Sequence, residues 1–410
     1  MPSTKLHKTL QTEIEELVQK GTAKAPELVV IGVENATGNI GPRYIIQGYP
    51  GKKFIRMNAN SYAGLSLRHD IMEAEEAATK KYGAGPGSVR FISGTFDVHI
   101  ELEKKIAKYC GTEAAMLYSS AYMSTIGTFV SLTSAETIII SDELNHNCII
   151  NAMKLSRPKD KMIYKHLDMK MLEEQIQASI GKCNRVLVIT DGIFSMRGDH
   201  APLDVIAGLC EKYDDKFQEG ILLFVDDSHG IGAFGKTGRG TVEYTNAMGK
   251  VDVLVGTLGK SFGTNGGFVA TTAQIVEYLH QKAPTYIYSN PISPGEAAGA
   301  MKALEIIDSP EGLKILEHLR KVTKMFKDGL IAAGYETLPG EHPVVPLMVR
   351  DTAKNIALVK YLQEQGVLAT GLSFPVVPRG DEEIRFQISA SHTEADIQQV
   401  LDILKAYKNK

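Results

Sequence analysis

The sequence predicts an α/β protein in which a large domain, built on a mainly parallel central sheet covered by helices, precedes a smaller α+β domain. Three observations predict it. Short runs that are apolar at consecutive positions alternate with stretches of helical spacing from about residue 97, and strands apolar on both faces belong to covered parallel sheets. Polar residues directly follow those runs, where open α/β sheets place their ligands. Beyond about residue 300, long amphipathic helices surround short strands.

Composition narrows the classes of function. A chain of 410 residues is long enough for two or three domains, and its net charge of -3 lacks the basic footprint of a nucleic-acid binder. Cys110, Cys148, Cys183 and Cys210 lack disulfide or metal-finger spacing, and the chain opens Met-Pro-Ser-Thr without an apolar leader, so a reduced, cytoplasmic protein is expected. No apolar run approaches the roughly 20 residues that span a bilayer. Many of the 38 glycines cluster in loops beside apolar runs, which suits backbone lying close to a ligand.

The elements follow in order. Leu6, Leu10, Ile14 and Leu17 give an amphipathic helix over 5–20, ahead of a glycine-interrupted segment from Gly21 to Gly51, and this arm is expected to lie over a partner. A short strand over 55–60 feeds Asn60-Ser61-Tyr62-Ala63-Gly64, and a helix covers 70–82. Four glycines and a proline in 83–95 make that stretch a long ordered loop. A helix over 97–110 then stops at Gly111, and buried strands are predicted over 114–118, 137–140, 186–190, 221–225 and 251–255. An alanine-rich helix over 293–308 leads to helices over 311–333, 352–365 and 393–407 with strands over 345–349, 367–370 and 383–388. The division expected is an arm over 1–60, a large domain over 61–300 and a small one over 301–410.

The strand ends carry the chemistry. Val251 to Val255 runs into Gly259-Lys260-Ser261, so a buried strand delivers an amine to a glycine-lined pocket. A desolvated lysine amine is nucleophilic and forms a Schiff base with an aldehyde. A P-loop is excluded, because that motif needs glycine five places before Gly259, where Leu254 stands. Short Gly-Lys strings are also ordinary surface loops, so the other strand ends decide. Those ends hold Ser119-Ser120-Ala121-Tyr122 at a helix start able to cradle phosphate, Asn145-His146, Asp191-Gly192 with Ser195, and Asp226-Asp227-Ser228-His229. A lysine, a carboxylate and a phosphate cradle together describe a site for pyridoxal phosphate, whose ring nitrogen a buried acid such as Asp226 keeps protonated. His229 lies near enough to bond the ring's phenolic oxygen.

These residues sit in strings that resemble the α-oxoamine synthases: 88–95, Leu144-Asn145-His146, 190–196, 225–230, Gly238-Arg239-Gly240, Thr257-Leu258-Gly259-Lys260 and Ile384-Arg385. The likeness runs from about Asn58 to His392 in order and spacing. Members are pyridoxal-phosphate enzymes of fold type I, like aspartate aminotransferase, that join an amino acid to an acyl-CoA. Glu243-Tyr244, Met248-Gly249, Pro375-Val376-Val377-Pro378 and 389–393 look closest to the 2-amino-3-ketobutyrate CoA ligase (glycine C-acetyltransferase) branch.

The resemblance implies roles. Lys260 would hold the aldehyde and shuttle a proton, Asp226 would pair with the ring nitrogen, His229 with the ring hydroxyl, His146 would stack on the ring, and Ser195 would approach it. Phosphate would be held by the amides of Ala121 and Tyr122, by Thr257, and by Ser289 from a second subunit. Arg385 would grip the amino-acid carboxylate, with Asn60 and Ser88 nearby. A site completed across subunits implies a homodimer. Two departures border the acyl-CoA side: 261–267 is one residue shorter than in the ketobutyrate ligases, and Ala121-Tyr122 replaces the usual Cys-Phe. They leave open another synthase of the family that uses alanine or serine and a longer acyl chain, with an aminotransferase or a catalytically silent subunit as further alternatives.

Overall fold

Runs such as Val186-Leu187-Val188-Ile189 must be covered on both faces, and the architecture does so. A computed structural model describes residues 4–20, 22–23, 26–374 and 376–408; Gly21, where the interrupted segment begins, and Pro375 of the 375–378 run lie outside the described residues. The first strands are β1 (Val30–Glu34), β2 (Arg43–Ile46) and β3 (Lys53–Arg56). The large domain contributes β4 (Ala114–Tyr118), β5 (Thr137–Asp142), β6 (Asp160–Tyr164), β7 (Arg185–Asp191), β8 (Ile221–Asp226), β9 (Val253–Thr257) and β10 (Gly267–Thr271). The last are β11 (Glu336–Thr337), β12 (Val344–Met348), β13 (Val367–Leu368), β14 (Thr370–Leu372) and β15 (Glu383–Gln387).

Among the described residues, the large sheet has the order β4-β10-β9-β8-β7-β5-β6. Strands β9, β8, β7, β5 and β6 pair in parallel, whereas β10 runs antiparallel to both its neighbours. Successive side chains alternate between two cores. Ile138, Ile140, Val186, Val188, Leu223 and Val225 pack into one. Ile139, Leu187, Ile189, Phe224, Val253 and Val255 pack into the other, across the sheet.

The five strands expected here all form, with β9 lying two residues later than its apolar run suggested. Two others are not read from the sequence: β6 (Asp-Lys-Met-Ile-Tyr) is an edge strand largely exposed, and the short apolar β10 follows directly on a glycine-rich loop that masks its start. The helix Asp97–Cys110 ends where expected, at Gly111 with φ 70°. Loop 83–95 has no regular helix or strand, and a buried pair pins it. Arg90 donates to both Glu103 oxygens (3.0 and 3.1 Å), and Glu103 also accepts from the Leu117 N–H at the sheet edge (3.0 Å).

The smaller domain joins the antiparallel sheet β11-β12-β15-β14 to helices Pro310–Ala332, Thr352–Glu364 and Glu394–Lys408. Two expected boundaries move. The end of the supposed arm belongs to this domain: β3 pairs in parallel with β13, and Ile55, Met57 and Tyr62 sit in its core. The division at 300 falls inside helix Pro294–Ile307, whose Ala300, Ala303, Leu304 and Ile307 pack in the large-domain core. We propose that the boundary lies at Asp308–Ser309, where the next helix is capped by Ser309. Helix Thr4–Gln19 buries none of its residues, so within one chain its apolar stripe stays outside the core.

Candidate active site

Four strand ends converge at the carboxyl edge of the sheet. Lys260 stands three residues past β9, and its amine is pushed down to about 8 by burial, against the opposing pull of the Asp226 and Asp191 carboxylates. Arg385 adds to the downward push. An amine so placed is neutral in a useful fraction near neutral pH.

Asp226 ends β8 with its carboxylate held on two sides. Oδ2 accepts from Thr125 Oγ1 (3.1 Å) and from Cys148 Sγ (3.4 Å), and Oδ1 accepts from the Ser228 N–H (3.1 Å). Its neighbour Asp227 points away and does structural duty. It accepts from Thr241 N–H and Oγ1 (2.6 and 2.7 Å), inside a cage where a Cβ on Gly192, Gly230 or Gly240 would come within 2.0–2.2 Å of its carboxylate. The two acids of the Asp-Asp-Ser-His string thus have separate tasks.

His229 is buried and bonded through Nδ1 to the Tyr62 hydroxyl (2.8 Å). Tyr62 also donates to Asn60 Oδ1 (3.2 Å), which accepts from Gln387 Nε2 (2.6 Å), so the chain of bonds reaches β15. Behind it, His342 Nε2 donates to the His229 carbonyl (2.9 Å) while its Nδ1 accepts from the Val344 N–H (3.1 Å). Burial holds both rings neutral, with His342 pushed down to about 3 and His229 well below the ordinary range.

His146 caps helix Asn147–Leu155. Its Nδ1 accepts from the Cys148 N–H (3.2 Å), which leaves the proton of the neutral ring on Nε2. Burial lowers its pKa. Two bonds fix the backbone: the His146 N–H donates to Asp191 Oδ2 (3.0 Å), and Asn145 Oδ1 accepts from the Asp191 N–H (2.8 Å). Asp191 is buried, and desolvation, then the neighbouring Asp226 charge, push its carboxyl well above the usual carboxylate range.

Arg385 on β15 enters from the small domain. Its Nη1 donates to the Ser195 carbonyl (3.0 Å), and its buried Nε has no hydrogen-bond partner among the described residues. Ser195 is buried beside it and, with His146, lines a cleft of ≈ 580 Å³ that continues past Met196 and Val377 to Glu383. That volume suits a small organic ligand, within the roughly 300–1,000 Å³ usual for such sites.

The remaining candidates divide. Ala121 and Tyr122 open helix Ala121–Leu132, where Ser120 caps Met123, so their first-turn amides lie ahead of that cap and suit an anion. The hydroxyl of Thr257 accepts from the Gly259 N–H (3.2 Å) and donates to the Gly266 carbonyl (3.3 Å), a hold on the lysine's own turn. Ser289 Oγ donates to the Asn290 carbonyl (3.5 Å), and Ser88 lies in loop 83–95; no described hydrogen bond ties either to the Lys260 group. Sequence reasoning did not single out Tyr62, Thr125, Asp191, His342 or Glu383 as site residues. Tyr62 and Asp191 lay in strings already noted, but nothing local marks the others.

A buried low-pKa amine, an acid anchored on two sides, a histidine pair and helix-start amides form a donor set that fits pyridoxal phosphate, and with this fold they define a pyridoxal-phosphate enzyme of fold type I. A sequence profile of the aminotransferase class I and II family matches residues 52–404. The chain is 38% identical over 354 residues to 2-amino-3-ketobutyrate coenzyme A ligase of Escherichia coli K12, covering 86% of this chain and 87% of that one. It is 36% identical over 402 residues to 8-amino-7-oxononanoate synthase of Bacillus pumilus, covering 98% and 97%. The solved serine palmitoyltransferase of Sphingomonas wittichii superposes with a TM-score of 0.87 at 26% identity, covering 98% and 96%. The chain belongs to the aminotransferase class I and II family and, within it, to the α-oxoamine synthases, pyridoxal-phosphate-dependent acyltransferases. The likeness over 402 residues takes in the stretch ahead of Asn58, where the sequence resemblance seemed to begin.

Proposed function

We propose that this synthase is a glycine C-acetyltransferase, a 2-amino-3-ketobutyrate CoA ligase that interconverts glycine and acetyl-CoA with 2-amino-3-oxobutanoate and CoA. The observation that carries the catalytic reading is the convergence of Lys260, Asp226, His229 and His146 at adjacent strand ends. When bound, the cofactor's ring supplies the electron sink for charge released at Cα. The Lys260 amine, part neutral near pH 7, would hold the cofactor's aldehyde and, once freed, is the base that would take the Cα proton on Nζ. Asp226, braced by Thr125, would pair with the ring nitrogen, and His229, braced by Tyr62, would pair with the ring hydroxyl.

Arg385 would take the amino-acid carboxylate, oriented by the Ser195 carbonyl, with Asn60 tied to the same strand through Gln387 and Ser88 as a further contact. His146 would lie against the ring, and its Nε2–H is free to donate where negative charge develops on the thioester oxygen. The amides of Ala121 and Tyr122 would hold phosphate, with Thr257 joining them if its hydroxyl turns from the Gly266 carbonyl and Ser289 of a second copy completing the cradle in a homodimer. Tyr288 beside it is 78% exposed within one chain, as a residue at a subunit contact would be.

The choice of glycine and acetyl rests on the strings at 243–244, 248–249 and 389–393. A second reading, 8-amino-7-oxononanoate synthase, is favoured by the relative that matches nearly the whole chain. A CoA-release screen crossing glycine, alanine and serine with acetyl, pimeloyl and palmitoyl thioesters tests the proposal. Release with glycine and acetyl-CoA above all other pairs supports it, and preference for alanine with pimeloyl-CoA replaces it with the second reading.

A further inference from the structure

His342 stands at the entry to β12, two residues before Val344. Pro343 behind it disfavours helical backbone at His342, and the Pro343 carbonyl accepts from the Ile388 N–H (2.9 Å), which ties the entry to the end of β15. The ring then turns to its own strand: the Val344 N–H donates to Nδ1 (3.1 Å). A ring nitrogen that accepts carries no proton, so in the neutral imidazole Nε2 is the donor, and its partner is the His229 carbonyl across the domain boundary (2.9 Å). Among the described residues that carbonyl has no other hydrogen-bond partner.

The same ring meets Tyr62 edge-on, with centroids 5.1 Å apart and planes at 78°. Tyr62 is the residue whose hydroxyl bonds His229 Nδ1 (2.8 Å). His342 therefore steadies His229 twice, through the carbonyl of its peptide and through the phenol that its imidazole meets. All three side chains are buried, so water is no ready substitute for either bond. His229 itself comes from the large domain, three residues past β8, whereas Tyr62 lies in the small-domain core and His342 opens one of that domain's strands.

We infer that His342 is a positioning residue for the cofactor: reaching from the small domain, it fixes where His229 presents its imidazole to the ring hydroxyl, so that the hydroxyl's partner is set only when the two domains are docked. The inference rests on the reading of His229 as that partner and deepens it.

Two substitutions divide the bonds of His342. Asparagine puts an oxygen where Nδ1 stands, which keeps the Val344 bond, but it falls short of His229. Glutamine puts an amide N–H where Nε2 stands, which keeps the His229 bond and gives up the Val344 one. Each variant loses one buried hydrogen bond, so a merely structural role would weaken cofactor binding alike in both. The holoenzymes are diluted and the bound fraction of pyridoxal phosphate is read from visible absorbance. His342→Asn should bind it about five- to ten-fold more weakly than wild type, and His342→Gln within about two-fold. Tyr62→Phe acts on the same imidazole, so combined with His342→Asn the loss should be smaller than the product of the two single losses. Equal affinity in the Asn and Gln variants, a greater loss in the Gln variant, or losses that multiply in the double variant overturns the inference.

His229→Asn separates the two readings. Unchanged cofactor affinity in that variant removes the hydroxyl-partner reading and the inference with it, whereas a loss there with none in His342→Asn removes the inference alone. If a His342 variant does not fold, hydrogen exchange of the wild type with and without cofactor decides. Bound cofactor should slow exchange over 341–347 together with 227–232; slowing confined to 227–232, or absent from both, overturns the inference.

Discussion

Lys260 is the residue on which the chemistry depends, and its substitution has two readouts. Lys260→Ala should abolish turnover and the visible Schiff-base absorbance of the purified protein, and a yellow, active variant would refute its role. Arg385→Lys keeps the charge but not the planar fork, so the KM for the amino acid should rise about 10- to 100-fold with a smaller change in kcat, read from steady-state kinetics. Tyr62→Phe leaves His229 Nδ1 without its partner and should cost about three- to ten-fold in kcat. The residues legible in the sequence were those at strand ends, because topology alone brings Asp226, His146, Ser195 and Lys260 to one edge. Tyr62 and His342 reach the same place from β3's side and from the small domain, and no local pattern announces that. Nor does spacing tell Asp226 from Asp227; the glycine cage decides it, and a cage is a property of three dimensions.

Between residues and the whole stand the turns that hold the cleft open. His166 bridges two of them: Nδ1 meets Asp142 Oδ1 and Nε2 meets Asp199 Oδ2, each at 3.1 Å, a geometry that satisfies both carboxylates when the ring is an imidazolium. Burial opposes the charge, but the two hydrogen bonds outweigh it and raise the group to about 9. Because the folded value lies above the unfolded one, this stabilisation is fully present below about pH 6.5 and is lost as pH rises through about 9, a contribution of roughly 3 kcal/mol at most. The difference in denaturant stability between wild type and His166→Gln should therefore shrink steadily across that range, and a constant difference would disprove it. Arg90→Ala strands Glu103 beside the sheet and should destabilise by about 3–5 kcal/mol in the same assay. Most elements could be read from periodicity, since buried strands and amphipathic helices advertise themselves. Strands β1, β2, β6 and β10 could not, as they are short, exposed or flanked by glycine, and pairing rather than burial pattern defines them.

At the scale of the whole molecule, several large apolar residues are left exposed within one chain. Phe91 and Ile92 of loop 83–95 are 64% and 68% exposed, and helix Thr4–Gln19 shows Leu10, Ile14 and Leu17 to solvent within one chain. Light scattering is expected to give twice the 44.7 kDa chain mass, and Ile92→Glu should yield monomers that release cofactor; a fully active monomer would end the proposal of a shared site. Among the described residues the four cysteines are free and no helix is long and apolar enough to cross a membrane. The parallel pairing of β3 with β13 has a consequence for birth on the ribosome. Ile55 emerges early, but the strand that completes its ladder, and the arginine and histidine that close the pocket, are translated near the end. The large sheet has all its strands long before that, whereas β3, already laddered to β2 on one side, must wait with its other edge open, so a truncated or stalled product would expose that edge to chaperones and proteases.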